Sequence, residues 1–422
     1  MKLQCSLMRM ALLSAMTVPT TAFATNGYQL IGVGSYQKGL AGAVTANPGS
    51  AMTAVTNPAG AARIGSRADF SMEAFMPDRS VDFTAVGGGK EESAVDMYGI
   101  PAIGWTAPTS DGSDVYFGGG MYGTSGMGVD YGVTAGPVFP GPTNTLFDGY
   151  SNISFWQMAP VLAWNVDEKL SLGASLNIDY QSVALKQRFT DTTTPLPNTL
   201  QQVDLSRSAS SFGLGLGLGI LYDPIPAVTL GFSYKSKQNF SDLEYQLATG
   251  DITLMGTALP AGTYSLDLDY PQQAAVGIAY RAGNKLTFSG DIKWINWSDT
   301  MKQLIINGPA GPIPYNSGWD DQTVFAIGIN YDINDKFTIR GGYNYAESPI
   351  GPEDVANNLI LPAVVETHYT IGGDYRINNH WDLAFHYMYV PENTVTSTDP
   401  QMPGAKISLS ETSFGLNIGY RF

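Results

Sequence analysis

Cysteine is nearly absent from this sequence of 422 residues, and Cys5 is the only one. It lies in an N-terminal segment that we expect to be removed. The mature chain would then have no disulfide framework, no thiolate metal site and no cysteine nucleophile. Charged residues are also scarce, at 14 %. After Val18, no apolar stretch reaches the roughly 20 residues that a membrane-spanning helix needs.

Positive charge is in short supply as well. The sequence has 22 Lys and Arg against 37 Asp and Glu, a formal charge of -15. Loss of Lys2 and Arg9 would leave 20 basic against 37 acidic residues, a charge of -17. This balance disfavours nucleic acid as a partner. Soluble acidic proteins share the same balance, so charge alone does not identify the compartment.

The N-terminus has the parts of a secretory signal peptide. Lys2 and Arg9 precede an apolar run from Met10 to Val18, and the small-residue site Ala22-Phe23-Ala24 follows. The run is about half the length of a spanning helix, which favours cleavage after Ala24 over an uncleaved anchor. We therefore predict that residues 1–24 are a signal peptide and that the chain is exported.

Glycine and aromatic residues are abundant by contrast. Gly is 48 of 422 residues and aromatics are 11 %, while the mean hydropathy is -0.05. Such a chain can cross a bilayer as a closed β-barrel, in which apolar outward residues alternate with polar or small inward ones. The C-terminal segment alternates in this way, with Phe414, Leu416, Ile418, Tyr420 and Phe422 on one face and Ser413, Gly415, Asn417, Gly419 and Arg421 on the other.

Segments of this alternating kind recur along the chain. They lie near 68–83, 96–107, 114–131, 153–166, 169–189, 207–222, 226–246, 265–281, 284–305, 321–333, 335–346, 366–377, 380–390 and 408–422. An even number of strands is typical of bacterial single-chain outer-membrane barrels. The predicted fold class is thus an all-β transmembrane barrel of about 14 antiparallel strands, a count taken from this pattern.

The connections between these segments alternate in length. Short turns at 108–113, 167–168, 223–225, 282–283, 334 and 378–379 alternate with long Pro-, Gly-, Ser- and Thr-rich stretches at 132–152, 190–206, 247–264, 306–320, 347–365 and 391–407. We place the short turns in the periplasm and the long connections outside the cell, as in other bacterial barrels.

The segment before the first strand differs in kind. Residues 25–66 are rich in Gly and Ala and show no strand period. A barrel of this size has a lumen that must be left open or filled. We therefore predict that 25–66 is an N-terminal plug, or hatch, of short helices in the lumen and that 67–422 is the barrel.

Several short sequences together resemble the FadL family of outer-membrane transporters of long-chain fatty acids and aromatic hydrocarbons. They are Asn26-Gly27-Tyr28-Gln29-Leu30, Asn57-Pro58-Ala59, Gly219-Ile220-Leu221-Tyr222, Ser233-Tyr234-Lys235-Ser236, Trp294-Ile295-Asn296-Trp297-Ser298 and Ala346-Glu347-Ser348-Pro349-Ile350. The resemblance runs from the mature N-terminus to Phe422. It implies a hatched barrel without energy coupling, capture of the ligand outside, a greasy internal pocket and sideways release into the membrane through a kink in the third strand.

The glycine-rich run from Gly118 to Gly128 is the sequence counterpart of that kink. Its glycines accept backbone angles that other residues avoid and leave space beside the next strand. We place the lateral gate at Gly123, Ser125 and Gly126. A glycine-rich strand that merely faces a crowded lumen is the alternative.

The carboxylate of a fatty acid would need a cation or hydrogen-bond donors, because burying it unpaired is costly. The ligand-binding candidates are Arg188, Lys302 and Arg207, and Arg188 lies where the family carries a carboxylate-binding Arg. By parity, Arg188 would point outward unless a bulge follows Tyr180. Contact with lipopolysaccharide phosphates, or simple solvation, is an equal alternative for these cations.

The turn Asn57-Pro58-Ala59 is the candidate hatch feature. Proline fixes the turn, and Asn can satisfy nearby backbone groups. We expect it to hold the plug near the periplasmic outlet.

The function that these features favour is passive uptake of long-chain fatty acids or other hydrophobic compounds across the outer membrane. Aromatic hydrocarbon uptake is the alternative, and a structural barrel or surface antigen is a further one. An enzyme would need a His paired with Ser or Asp, but only His368, His380 and His386 are present, without a serine-nucleophile motif. No catalytic residue, metal or cofactor is predicted. The expected partners are the hydrophobic ligand, outer-membrane lipid and lipopolysaccharide, and the barrel-assembly machinery through Phe422, with the chain a monomer.

Overall fold

The computed structural model describes residues 26–139, 144–193, 195 and 198–422, so the predicted signal peptide lies outside the described residues. Fourteen strands form the barrel wall. They are β1 Arg67–Asp82, β2 Tyr98–Pro108, β3 Val115–Ala135, β4 Thr145–Met158 continued by Val161–Asn165, β5 Leu170–Asp191, β6 Asn198–Ile225, β7 Val228–Lys235, β8 Gln273–Ala282, β9 Leu286–Ile295, β10 Gln322–Asn334, β11 Phe337–Tyr345, β12 Thr367–Arg376, β13 Trp381–Thr396 and β14 Lys406–Arg421.

Each strand pairs in antiparallel fashion with its sequence neighbours. The barrel closes because β1 pairs with β14 from Arg67↔Arg421 to Asp82↔Lys406. Closure pairs the edges of the first and last strands, whose backbone groups would otherwise be left unpaired in the lipid at a cost in free energy. The predicted fold of fourteen antiparallel strands is confirmed.

The two faces of the wall differ as the alternation predicts. On β14, Phe414, Leu416 and Ile418 are exposed, whereas Ser413 and Asn417 are buried. The same pattern holds on β6, where Leu214, Leu216 and Leu218 are exposed. A ring of exposed apolar side chains on a barrel matches a lipid-facing surface.

The lumen contains the described N-terminal residues 26–66, which we call the plug. It consists of helix α1 (Gly34–Gly39), the 3₁₀ helices Ala51–Val55 and Pro58–Gly60, and helix α2 (Ala61–Ile64). Most of its residues are buried, the others are half-buried, and none is exposed. Among the described residues, no helix has the length and apolar character needed to cross a membrane.

The long connections carry more structure than the sequence predicts. Leu243–Leu247, Gly262–Leu266, Leu304–Gly308 and Gly311–Tyr315 form a separate four-stranded sheet. Shorter elements are the strands Lys90–Glu92, Asn239–Phe240, Ile252–Leu254 and Thr257–Ala258, the 3₁₀ helices Thr84–Val86 and Pro352–Asn357, and helix α3 Ser298–Met301. The predicted strands 226–246 and 284–305 are therefore too long. The alternation of apolar and polar residues continues beyond the ends of β7 and β9 into the shorter strands and the helix of the connections that follow them.

Candidate functional site

The barrel wall is interrupted between β2 and β3. Their ladder runs from Pro108↔Tyr116 to Ala102↔Tyr122, and among the described residues it includes no pair beyond that point, although β2 extends to Tyr98. On this side of β3, pairing with the segment between β1 and β2 resumes at the bridge Ser93↔Tyr131, and between these positions only the plug residue Gln29 forms a bridge, to Ser125, among the described residues. We call the stretch between these two pairs the β2–β3 window.

A bulge in β3 lies at this window. Gly123 opposes Trp156 and Ser125 opposes Phe155, so Thr124 has no counterpart on β4. An extra residue reverses the alternation of a strand. Even-numbered residues such as Tyr122 therefore face the lumen before the bulge, and odd-numbered residues such as Ser125 face it after the bulge. The bulge falls between Gly123 and Gly126, where the sequence analysis placed the kink, while the gating role of these residues stays a prediction.

Glycines at the window make room for side chains of β2. A Cβ atom built on Gly123 would lie 2.9 Å from Cγ2 of Ile100, and one on Gly128 would lie 2.6 Å from the hydroxyl of Tyr98. Both distances are too short for real Cβ atoms. Ile100 and Tyr98 can therefore lie across the window only because these β3 positions have no side chain.

An apolar cavity opens at the window. It encloses about 840 Å³, including its mouth, and is lined by β1 to β4, β14, the start of the plug and the segment around Pro362. Its apolar lining includes Tyr28, Ile100, Met127, Ile153, Phe155 and Leu409.

The first described residues of the plug cover the lumenal side of the bulge. The amide of Leu30 donates to the carbonyl of Thr124 at 3.1 Å, and the amide of Gly126 donates to the carbonyl of Tyr28 at 3.1 Å. The hydroxyls of Ser125 and Tyr270 lie 2.5 Å apart. Backbone groups of β3 that lack a partner on β2 are thus satisfied by the plug.

An aromatic cluster holds this part of the plug. Tyr28 packs against Tyr270, Trp297 and Trp319, with ring centroids 4.6 to 5.9 Å apart. Burial, with a smaller contribution from Asp269, raises the pKa of Tyr28 above its usual range, so its hydroxyl stays neutral at the cavity edge. The cluster joins the plug to the connections that follow β7 and β9.

Buried polar contacts fix the plug to the wall. Lys38 Nζ lies 3.1 Å from Glu73 Oε1 on β1. A carboxylate oxygen of Asp291 on β9 accepts hydrogen bonds from the amides of Val44 at 2.9 Å and Thr45 at 2.8 Å. Because amide and charged groups away from water need partners, these contacts favour the docked plug.

The turn Asn57-Pro58-Ala59 lies against β5 and β6. The side-chain amide of Asn57 donates to the carbonyls of Thr45 at 2.7 Å and Ile220 at 3.2 Å, and its Oδ1 accepts from the amide of Ala59. A Cβ on Gly219 would come within 2.0 Å of Asn57 Oδ1. The glycine in Gly219-Ile220-Leu221-Tyr222 thus allows the plug to approach the wall. The link between this turn and a periplasmic outlet stays a prediction.

None of the three predicted ligand-binding cations lines the apolar cavity. Arg188 is on the outward-facing side of β5, where its Nη2 lies 2.6 Å from Asp148 Oδ2 and its side chain is 40 % exposed. The even-numbered residues of β5 face outward from Leu172 to Arg188, so this strand lacks the bulge that would turn Arg188 inward. The extra residues at this level of the sheet are in β6, between Leu205 and Ala209.

The other two cations are more exposed still. Arg207 is 3.9 Å from Asp251, with 70 % of its side chain exposed. Lys302 follows α3 and is 3.6 Å from Asp320, with 63 % exposed. Because β9 ends at Ile295, Lys302 lies outside the strand that the sequence pattern placed at 284–305. A role for all three in ligand capture stays a prediction.

Sequence reasoning missed the basic residue that does line the cavity, Arg79 on β1. The alternation along β1 did indicate that Arg79 points inward, because it shares the parity of Asp69, Ser71 and Glu73. The sequence did not show that β1 borders the cavity.

Comparisons with known proteins agree with this architecture. The family model described as "Outer membrane protein transport protein (OMPP1/FadL/TodX)" matches residues 11–422. Outer membrane protein P1 of Haemophilus influenzae is 22 % identical over 402 residues, 85 % of this chain and 83 % of that protein. The 47 kDa outer membrane protein of Pasteurella multocida is 25 % identical over 178 residues, 42 % of this chain and only 40 % of that protein.

Solved structures share the fold. The toluene transporter TodX of Pseudomonas putida superposes with a TM-score of 0.72 at 21 % identity, over 94 % of this chain and all of that one (100 %). A FadL homologue of Pseudomonas aeruginosa gives a TM-score of 0.71 at 17 % identity, over 95 % of this chain and 100 % of that one.

Proposed function

The chain belongs to the OMPP1/FadL/TodX family of outer membrane transport proteins, and on that premise we propose that it is a channel for passive uptake of long-chain fatty acids or other hydrophobic compounds. The observation that carries the proposal is the apolar cavity at the β2–β3 window. A hydrophobic molecule in that cavity is already shielded from water, which favours binding in proportion to the apolar area buried.

The proposed exit is sideways, through the window into the lipid. Outward residues Trp156 and Gly126 line the cavity together with lumenal Phe155, so the space reaches from one face of the wall to the other. An apolar molecule that passes directly into lipid never has to enter water. Lateral release is therefore the route with the smallest transfer penalty.

A straight path through the plug is opposed by charge. Beside Tyr36 of the plug, Arg67 is within 2.7 Å of carboxylate oxygens of both Asp69 and Asp382, and Arg340 is 2.5 Å from Asp374. An apolar chain on this path would lie against charged groups instead of apolar surface, so it would gain less from leaving water. This arrangement supports the lateral route over a vertical one.

A reversible cross-link tests the exit. Cysteines at positions 100 and 123 would lie across the window, because a Cβ on Gly123 meets the side chain of Ile100, and the chain contains no cysteine besides Cys5. We expect oxidised Ile100→Cys/Gly123→Cys to bind oleate but to stop its uptake by cells, and a reductant to restore uptake.

The matched control joins two strands that are already fully paired. Leu230 on β7 and Ile278 on β8 are direct partners and both are exposed to lipid. The disulfide Leu230→Cys/Ile278→Cys should leave uptake unchanged. Unchanged oleate uptake by a completely cross-linked 100/123 variant would rule out release through the window.

Aromatic hydrocarbons are the second candidate ligands. Phe155 stacks on Tyr270 with ring centroids 4.3 Å apart, and Tyr28 lies beside them, so one end of the cavity is aromatic. Binding of oleate and of toluene to the purified protein separates the two. Arg188→Ala, measured alongside, tests the carboxylate role that the family resemblance assigns to Arg188. Toluene binding without oleate binding would favour the hydrocarbon function.

A further inference from the structure

Arg79 is the one basic side chain among the described residues that line the apolar cavity. It lies on the inward face of β1 and is only 4 % exposed. Its Nη2 donates to Ser93 Oγ at 3.1 Å and to the carbonyl of Val95, and its guanidinium lies 5.7 Å from the ring centre of Tyr98. Among the described residues, its buried Nε has no hydrogen-bond partner.

We propose that Arg79 binds the anionic head group, a carboxylate in the first instance, of an amphipathic ligand whose tail lies along the apolar cavity. The inference rests on the proposed function and names the chemistry of its ligand. A buried guanidinium with an unused donor in an apolar site lacks a counter-charge. A carboxylate would supply both the charge and the missing acceptor, and guanidinium–carboxylate contacts are among the strongest hydrogen bonds in proteins.

The surroundings of Arg79 distinguish it from the other cations. Arg188, Arg207 and Lys302 each lie within 4 Å of a carboxylate of this chain. The partners of Arg79 are neutral, namely a hydroxyl, a carbonyl and an aromatic ring. Its positive charge is therefore still available to a ligand.

Glu411 is the acidic residue of the same cavity lining. Its Oε2 lies 3.8 Å from Nε2 of His368, so it is associated with a basic group other than Arg79. In the sheet register Glu411 opposes Pro77, whereas Arg79 opposes Leu409. Glu411 and Arg79 are therefore diagonal neighbours across the β1–β14 pair, and an anion in the cavity is attracted to Arg79 rather than to Glu411.

The position of Arg79 also suits a tail that runs to the window. Met127 and Ile153 line the cavity from β3 and β4. Tyr98, whose ring lies over Arg79, is also the residue whose hydroxyl fills the space beside Gly128. A head group at Arg79 would therefore leave the apolar chain beside the interruption in the wall.

The experiment compares oleate with oleyl alcohol, which has the same chain and a neutral head. Binding of each is measured by calorimetry on the purified, full-length protein in detergent. We expect the wild type to prefer oleate, and Arg79→Gln to weaken oleate binding roughly 10- to 100-fold while leaving the alcohol almost unchanged. Arg79→Lys, which keeps the charge, should recover part of the preference. Arg281→Gln, at an exposed position away from the cavity, is the matched control.

Each other outcome contradicts a different statement. If Arg79→Gln weakens both ligands equally, Arg79 only holds the segment Ser93–Val95 in place and the head-group assignment fails. If the wild type binds the alcohol as well as oleate, the same assignment fails although the uptake proposal stands. If the wild type binds neither ligand, the proposed function itself fails and the assignment falls with it. Should Arg79→Gln not fold, as judged by heat-modifiable electrophoretic mobility, Arg79→Lys decides: it must bind oleate more weakly than the wild type and the alcohol equally well, or the assignment is wrong.

Discussion

The ion pair between Lys38 and Glu73 offers a direct test of how the plug is held. Lys38 belongs to α1 and Glu73 to β1, their charged atoms are 3.1 Å apart, and their side chains are 1 % and 4 % exposed. The nearest additional base is His386, whose Nε2 is 3.8 Å from Glu73 Oε1. Replacing Lys38 by Met keeps most of the side-chain volume but leaves the buried Glu73 carboxylate with only His386 and the Ser413 hydroxyl beside it.

The size of the effect follows from this burial. Removing one member of a buried ion pair destabilises the state that buries it by about 3 to 5 kcal/mol. Since about 1.4 kcal/mol is a factor of ten, the ratio of undocked to docked plug should rise about 100- to 4,000-fold. The barrel strands do not depend on the pair, so we expect the wall to remain folded.

Single-channel recording in planar bilayers measures the undocked state, because an open lumen conducts small ions. Lys38→Met should open far more often than the wild type, whereas Lys285→Met, at an exposed turn, should not. In Lys38→Met/Glu73→Gln no charge is left unpaired, so openings should become rarer than in Lys38→Met. If Lys38→Met conducts no more than the wild type while heat-modifiable mobility shows a folded barrel, the pair does not hold the plug.

Two further predictions concern the wall and an outer connection. Gly219→Val should displace Asn57 and raise ion conductance, because a Cβ atom at position 219 would lie 2.0 Å from Asn57 Oδ1. The control Gly290→Val should conduct as the wild type does, because no atom lies closer than 3.9 Å to its Cβ position. Equal conductance of the two variants would contradict the argument that Gly219 allows the close approach of the plug. Burial raises the pKa of Glu366, which precedes β12, from 4.5 to about 7, with Glu347 contributing. A raised acid pKa means that the folded state binds the proton more tightly, so the connection 347–365 should be most stable below about pH 4.5 and lose that stability as pH rises through about 7. Limited proteolysis across this range measures it, and a loss of the same size in Glu366→Gln would refute the assignment.

The wall could be predicted because its signal is local. Phe414, Leu416 and Ile418 alternate with small and polar residues, and that period is fixed by the geometry of a strand. The alternation of apolar residues did not show where β9 ends, because it continues through Trp297 and Met301. These two residues lie at the start and end of α3 and are buried in the main hydrophobic cluster.

The candidate site was harder to predict for a different reason. The glycines Gly123 and Gly126 marked a flexible point, but which residues surround it depends on partners far away in sequence. Arg188 was chosen from the resemblance, and its inward orientation required a bulge whose position the alternation does not reveal. Arg79 was overlooked because its contacts are with Ser93, Val95 and Tyr98. These residues lie in the segment after β1 that folds back beside it, and the alternation does not predict that fold.

The pairing of β1 with β14 sets the order in which the molecule can be assembled. The seam joins the first strand to the last, so it cannot form until synthesis and export have delivered the whole chain. Contacts between such distant segments form late. The entropic cost of bringing the two strands together is high while the chain between them is flexible, and it falls once the intervening strands have paired. The plug precedes β1, and its buried contacts reach β3, β6 and β9. We therefore expect it to lie in the open, curved sheet before the seam closes, so that the growing barrel folds around its own N-terminus.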